Sequence, residues 1–222
     1  MTKITDYLEH YALISLEKQE KFDRLIGEHT MELDVDTGAI RFSNGLAVPF
    51  QMLGTESGNT LTWLWAWSDE QSDMPSHLLR SAFQLKDWGE KHEVREFCSP
   101  SIDLNKADGQ IISLIASEVC KASCFYRDPY EGGAIYVLLF DKSIDAQPPF
   151  DLAGLSRKLS DLISLYEFNH RNALLSYFRI KGLSPVETGS TVMCELESGE
   201  QLSAEFYDSG RLTSLNGEIL SA

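Results

Sequence analysis

Basic residues are scarce in this chain. Lys and Arg number 19 against 34 Asp and Glu, a formal net charge of −15 over 222 residues. Nucleic acids and anionic membranes are both held by phosphate neutralisation, so the expectation is no nucleic-acid partner and no membrane partner. The densest basic stretch, Lys18 to Arg24, is interleaved with Glu20 and Asp23 and follows Glu17, which is the pattern of a solvated helical face.

Long apolar runs are missing as well. The longest, Ala134–Phe140, falls far short of the ~20 residues that a bilayer demands. The opening MTKITDYLEH has no charged-then-apolar leader pattern. The cysteines Cys98, Cys120, Cys124 and Cys194 form no C-x-x-C pair and have no His at zinc-finger spacing. Free thiols in a reducing compartment follow, and with them a cytoplasmic protein.

Catalytic signatures are lacking too. His10, His29, His77, His92 and His170 form no i,i+4 pair and no H-E-x-x-H motif. Neither a Gly-x-Ser-x-Gly elbow nor a Gly-rich phosphate loop occurs. Asp34-Val35-Asp36-Thr37-Gly38 imitates a calcium loop, but its Gly arrives one position early and the bidentate Glu is missing. No metal and no cofactor is expected, and whether the chain is an enzyme stays open.

What the chain does have is Pro49–Trp67, PFQMLGTESGNTLTWLWAW, with three of the four tryptophans. It reads as two strands around a Glu56-Ser57-Gly58-Asn59 turn. Leu61, Trp63, Trp65 and Trp67 alternate with Thr60, Thr62, Leu64 and Ala66, so Thr60–Ser68 is expected inside the sheet, covered on both faces. In the first strand Val48, Phe50 and Met52 share a face, and Pro49 predicts an edge or a bulge at that point. Three indoles on one face are either core or the aromatic wall of a ligand groove. Glu56, in the turn beside them, is the polar residue that could serve such a groove; Arg127 and Asp128 read as a surface ion pair.

Around this stretch the periodicity predicts a helix over 3–26, capped by Thr5 or Asp6 and ended by Gly27. Alternation over 31–35 and 39–43 adds two strands, and Asn44-Gly45 leads into the third. After a polar loop at 69–74, Pro75 opens a helix closed by Trp88-Gly89. A short strand at 91–97, a helix capped by Asp103, and a hairpin of 123–127 with 133–141 follow. Beyond the break at Gln147-Pro148-Pro149 come helices over 150–166 and 170–180, then strands over 192–197, 201–207 and 211–215.

The fold class is therefore α+β: a central antiparallel sheet of about six or more strands, helices mainly on one face, and a C-terminal β meander. Residues 1–183 are expected as the core domain and 184–222 as a small meander, an appendage or sheet extension.

FQ-x-LG-T-ES followed by TWLWAW, a helix ending in Trp-Gly, and a Tyr-containing hairpin with Gly-Gly resembles a family of uncharacterised bacterial proteins, a domain of unknown function. The likeness spans residues 20–140, with Thr62–Trp67 its most specific part. It implies a bacterial origin and a shared fold, and transfers no catalytic residue. Two functions are weighed. One is a non-catalytic interaction module whose acidic surface takes a basic protein partner. The alternative is a small-molecule binder or enzyme with a pocket against Trp63, Trp65 and Trp67, with Glu56 at its rim.

Overall fold

The computed structural model describes residues 4–69 and 73–219, apart from the side chains of Thr5 and Ile219. These divide into two compact units, residue 4 with 18–147 and residues 5–17 with 148–219. One boundary between them falls at Gln147-Pro148-Pro149, where no regular element can continue, and another between residues 17 and 18. The chain is α+β, as its periodicities require, with a seven-stranded antiparallel sheet in the first unit and a four-stranded meander in the second.

The first long helix is α1 (Ile4–Ile26). It starts ahead of the expected caps Thr5 and Asp6, and the expected first residue, Lys3, lies outside the described residues. Gly27 ends it as read, in the left-handed conformation (φ 58°) with its N–H on the Asp23 carbonyl. The sheet then builds as a meander: β1 (Met31–Asp34), β2 (Ala39–Phe42), β3 (Ala47–Ser57) and β4 (Thr62–Trp65), in that spatial order. The Asp34 carboxylate accepts the Thr37 N–H, so the Asp-rich loop is a turn device.

β3 is the hub. It pairs with β2 near its start, with β4 over residues 54–57, and with β7 (Gly133–Leu139) along residues 50–57. The expectation that Pro49 marks an edge is thus corrected: the strand is central, and its irregularity against β7 lies between Met52 and Gly54. β4 is internal as expected, flanked by β3 and by β5 (Ser101–Asp103). It is shorter than the alternation suggests. Leu61 sits in the preceding turn at φ 53°, and Trp67 follows the strand in a turn.

Of the polar loop expected at 69–74, residues 70–72 lie outside the described residues. A 3₁₀ turn over Ser76–Leu78 leads into α2 (Arg80–His92). Gly89 does not end this helix; it lies inside it, and glycine is needed there because a Cβ would come within 2.5 Å of the Phe97 Cβ. Glu93, left-handed at φ 58°, is the C-cap. The strand expected over 91–97 is instead the end of α2 and a single turn, α3 (Arg95–Cys98). Asp103 belongs to β5, and the next helix, α4 (Gly109–Val119), is capped by Asp108, whose carboxylate accepts the Ile111 N–H at 2.8 Å. The hairpin of β6 (Cys124–Tyr130) with β7 and the short α5 (Lys142–Asp145) complete the unit.

One core layer joins Phe22 and Ile26 of α1 to Ile40, Phe42, Val48, Phe50, Met52, Cys124, Val137 and Leu139 of the sheet. The face read for Val48, Phe50 and Met52 is the face that is buried. The opposite face carries Trp63 and Trp65, both wholly buried.

In the second unit, α6 (Leu152–Leu165) and α7 (His170–Ile180) accompany β8 (Val186–Thr188), β9 (Thr191–Glu195), β10 (Glu200–Phe206) and β11 (Leu212–Ile219). The meander holds one strand more than the three read, because β8 is three exposed residues with no alternation to see. α6 lies on β10, and a Cβ at Gly217 of β11 would meet the Leu152 side chain.

Candidate functional site

Pairing places Glu56 opposite both Trp63 of β4 and Ala134 of β7, and Arg127 of β6 opposite Tyr136 of β7. Side chains directly opposite, and those two residues along a strand, share a face. Glu56, Trp63, Trp65, Arg127 and Tyr136 therefore lie on one side of the sheet. Gly54 in their midst leaves the space that the Trp63 ring occupies, since a Cβ there would come within 2.5 Å of it.

Four polar groups are tied together at this end of the sheet. Arg127 Nε donates to the Tyr136 hydroxyl at 3.0 Å, and Arg127 Nη2 donates to Glu56 Oε1 at 3.2 Å. The Glu56 carboxylate, on the same face, favours the protonated form of the Tyr136 hydroxyl. The Gly109 N–H, at the start of α4, donates to Glu56 Oε2 at 3.3 Å. Gly109 admits Tyr136 at all: a Cβ there would lie 2.4 Å from the phenol ring. Below, the Trp63 ring meets Tyr136 edge-on with centroids 5.3 Å apart.

These groups open onto a cleft of about 480 Å³ bounded also by Gly58, Leu104, Asp108 and Gln110. Tyr130, about half exposed, flanks it with its hydroxyl on the Glu56 carbonyl, and the exposed Leu61 accepts the Leu104 N–H on its carbonyl. Burial, and then the Glu56 carboxylate, raise the Tyr136 pKa well above a free phenol. Burial lowers the Arg127 pKa, but its bonds to Tyr136 and Glu56 outweigh this and raise it overall. Tyr136 thus stays protonated and Arg127 charged at any physiological pH, an arrangement suited to hydrogen-bond recognition.

Of the residues picked from sequence, Glu56 is in this cleft. Trp63 and Trp65 are fully buried beneath the site, and Trp65 donates its indole N–H to the Glu96 carbonyl at 3.1 Å. Trp67 stacks on Trp65 with the Lys86 ammonium 4.4 Å from its ring centroid. Arg127 pairs with Glu56 rather than with Asp128, which corrects the surface-pair reading. Tyr136, Gly109 and Asp108 went unread as site residues; the Gly-Gly before the apolar β7 run was the only local signal. Among the described residues no group of three or more His, Cys, Asp or Glu could hold a metal. No helix among them is long and apolar enough to cross a membrane.

Residues 5–142 match a family of unknown function (DUF6882), and the chain belongs to that family. The matched span takes in the cleft and the Trp-bearing strand, while α6 to β11 lie beyond it. No curated protein and no solved structure matches the chain.

Proposed function

We propose that this bacterial protein is a non-catalytic interaction module of the cytoplasm, and that its cleft at the β3, β6 and β7 ends receives a basic segment of a protein partner. The observation that carries this is the pairing of apolar anchors with acidic surroundings. Leu61 and Tyr130 stand exposed beside a cleft where Arg127, the one cation lining it among the described residues, is already matched by Glu56, with Asp108 within it and Glu131 next to Tyr130. Exposed aromatic side chains of this kind are typical anchors of interfaces. The net charge of −15 adds long-range attraction for a basic partner.

The alternative, a small-molecule pocket against the Trp face, has one observation behind it: the Trp63 and Trp67 indole N–H groups are buried without a hydrogen-bond partner among the described residues. Against it stands the complete burial of Trp63 and Trp65, which makes that face packed core.

The test is a pull-down from bacterial lysate with the wild-type protein and a Leu61→Ser/Tyr130→Ser variant, washed between ~0.05 and ~0.5 M salt. Basic proteins retained at low salt, released at high salt and absent from the variant are the expected result. Retention that ignores charge, or that the variant preserves, removes the cleft as the docking site.

A further inference from the structure

A second cavity lies wholly within the unit formed by residues 5–17 and 148–219, outside the family match. It measures about 310 Å³ and is bounded by the end of α6 from Ile163, the segment Tyr166–Phe168, His170 and Arg211. His170 opens α7, is 92 % buried (8 % exposed), and has the Phe168 ring 5.0 Å away.

The protonation of this histidine is dictated by its neighbour. The Leu212 backbone N–H donates to His170 Nδ1 at 3.0 Å, so Nδ1 must carry a lone pair. In the neutral ring the proton therefore sits on Nε2, as a donor. Nε2 has no hydrogen-bond partner among the described residues. Beside it, the Arg211 guanidinium has no ion-pair partner among the described residues, in a chain where acids outnumber bases 34 to 19. Burial and the nearby Arg211 charge both lower the His170 pKa, which keeps the ring in this neutral, Nε2-protonated form.

Two donors, one on a largely buried ring and one on the exposed Arg211, thus line one cavity with no acceptor on either among the described residues. We propose that the cavity binds a small ligand through an anionic oxygen group, a carboxylate or a phosphate, seated between His170 Nε2–H and Arg211. Residues of the acceptor end of α6 and the acidic residue Glu167 line the same opening. They would oppose a bulky polyanion and suit a ligand that carries a donor next to its anionic group.

The experiment reads the His170 ring by long-range proton–nitrogen NMR of the full chain, titrated separately with inorganic phosphate, acetate and glycine. The free protein should show the Nε2–H tautomer. At least one probe should shift that resonance saturably, and Arg211→Gln, an exposed change that leaves the fold intact, should weaken the binding about tenfold or more. Phosphate alone, acetate alone, or glycine in preference to acetate would identify the ligand class. An Nδ1–H tautomer, no saturable shift with any probe, or equal binding by Arg211→Gln would overturn the proposal.

Discussion

The Lys181 ammonium lies 2.8 Å from a Glu17 carboxylate oxygen, with only 10 % and 3 % of the two side chains exposed. The other Glu17 oxygen accepts the Tyr177 hydroxyl at 2.6 Å and the Phe150 N–H at 3.0 Å. Burial alone would raise the Glu17 pKa. The bonds from Lys181, Tyr177 and Phe150 outweigh it and hold the carboxyl below its ordinary value of 4.5.

Because the folded pKa is the lower one, the carboxylate's contribution is fully present above 4.5 and is lost as the pH falls through the folded value. Glu17→Gln should cost about 1–3 kcal/mol at pH 7: Lys181 keeps its second carboxylate, Glu197, but the charge-assisted bonds from Lys181, Tyr177 and Phe150 are weakened. Urea unfolding of both proteins from pH 7 down to pH 3 should show this gap narrowing only below about 4.5. A gap constant across that range would mean that Glu17 acts by packing alone.

The two buried indoles should answer differently to the same substitution. Trp65→Phe leaves the Glu96 carbonyl without its donor, whereas Trp63→Phe removes an N–H that has no partner among the described residues. Both lose ring area, so the difference isolates the hydrogen bond. Trp65→Phe is expected to be the more destabilising by about 1–3 kcal/mol in chemical denaturation. Truncation to Ala should cost about 3–5 kcal/mol at either position. A Trp65→Ala protein that melts within a few degrees of wild type would contradict its place in the core.

These contrasts mark what was visible in the sequence. α7 is read to its residue, His170–Ile180, because its apolar spacing and the left-handed Gly182 beyond it are local signals. β5 is invisible because three residues with one inward side chain, Ile102, hold no period; only its partner β4 makes it a strand. The end of α2 is missed because Glu93, not Gly, takes the left-handed turn. In the cleft, Glu56 is legible from its turn beside the tryptophans, but its partner Arg127 is 71 residues away. Sequence shows only the neighbour Asp128, and the choice between them is made by the β3–β7–β6 ladder. The His170 cavity has no sequence signature, since the deciding donor is a backbone N–H of β11, 42 residues away.

Gly109 should tolerate no side chain. A methyl group there would sit 2.4 Å from the Tyr136 ring, which is pinned from below by Trp63. Gly109→Ala is expected to cost about 1–3 kcal/mol by overpacking, and to displace the Tyr136 hydroxyl from Arg127. Tyr136→Phe keeps the ring and loses only the hydroxyl, so it should be the milder of the two by thermal melting.

The last expectation concerns an edge. Among the described residues β6 pairs with β7 alone, and its other side is met at Phe125 by a side chain that imitates a strand. Gln19 of α1 donates its amide N–H to the Phe125 carbonyl at 3.0 Å and accepts the Phe125 N–H at 2.9 Å. An amide is the side chain that can do both at once, because it carries a donor and an acceptor with the spacing of a peptide group. Gln19→Ala should therefore cost about 1–3 kcal/mol by leaving two buried backbone groups unpaired. Gln19→Glu should be no better, since its second oxygen would face the Phe125 carbonyl. Hydrogen exchange gives the direct readout: the Phe125 amide should lose protection in both variants, while amides bonded across β3 and β7 hold theirs. An open strand edge also templates intermolecular pairing, so both variants should aggregate faster than wild type on heating. Unchanged Phe125 protection in Gln19→Ala would show that the edge is closed by burial and not by the glutamine.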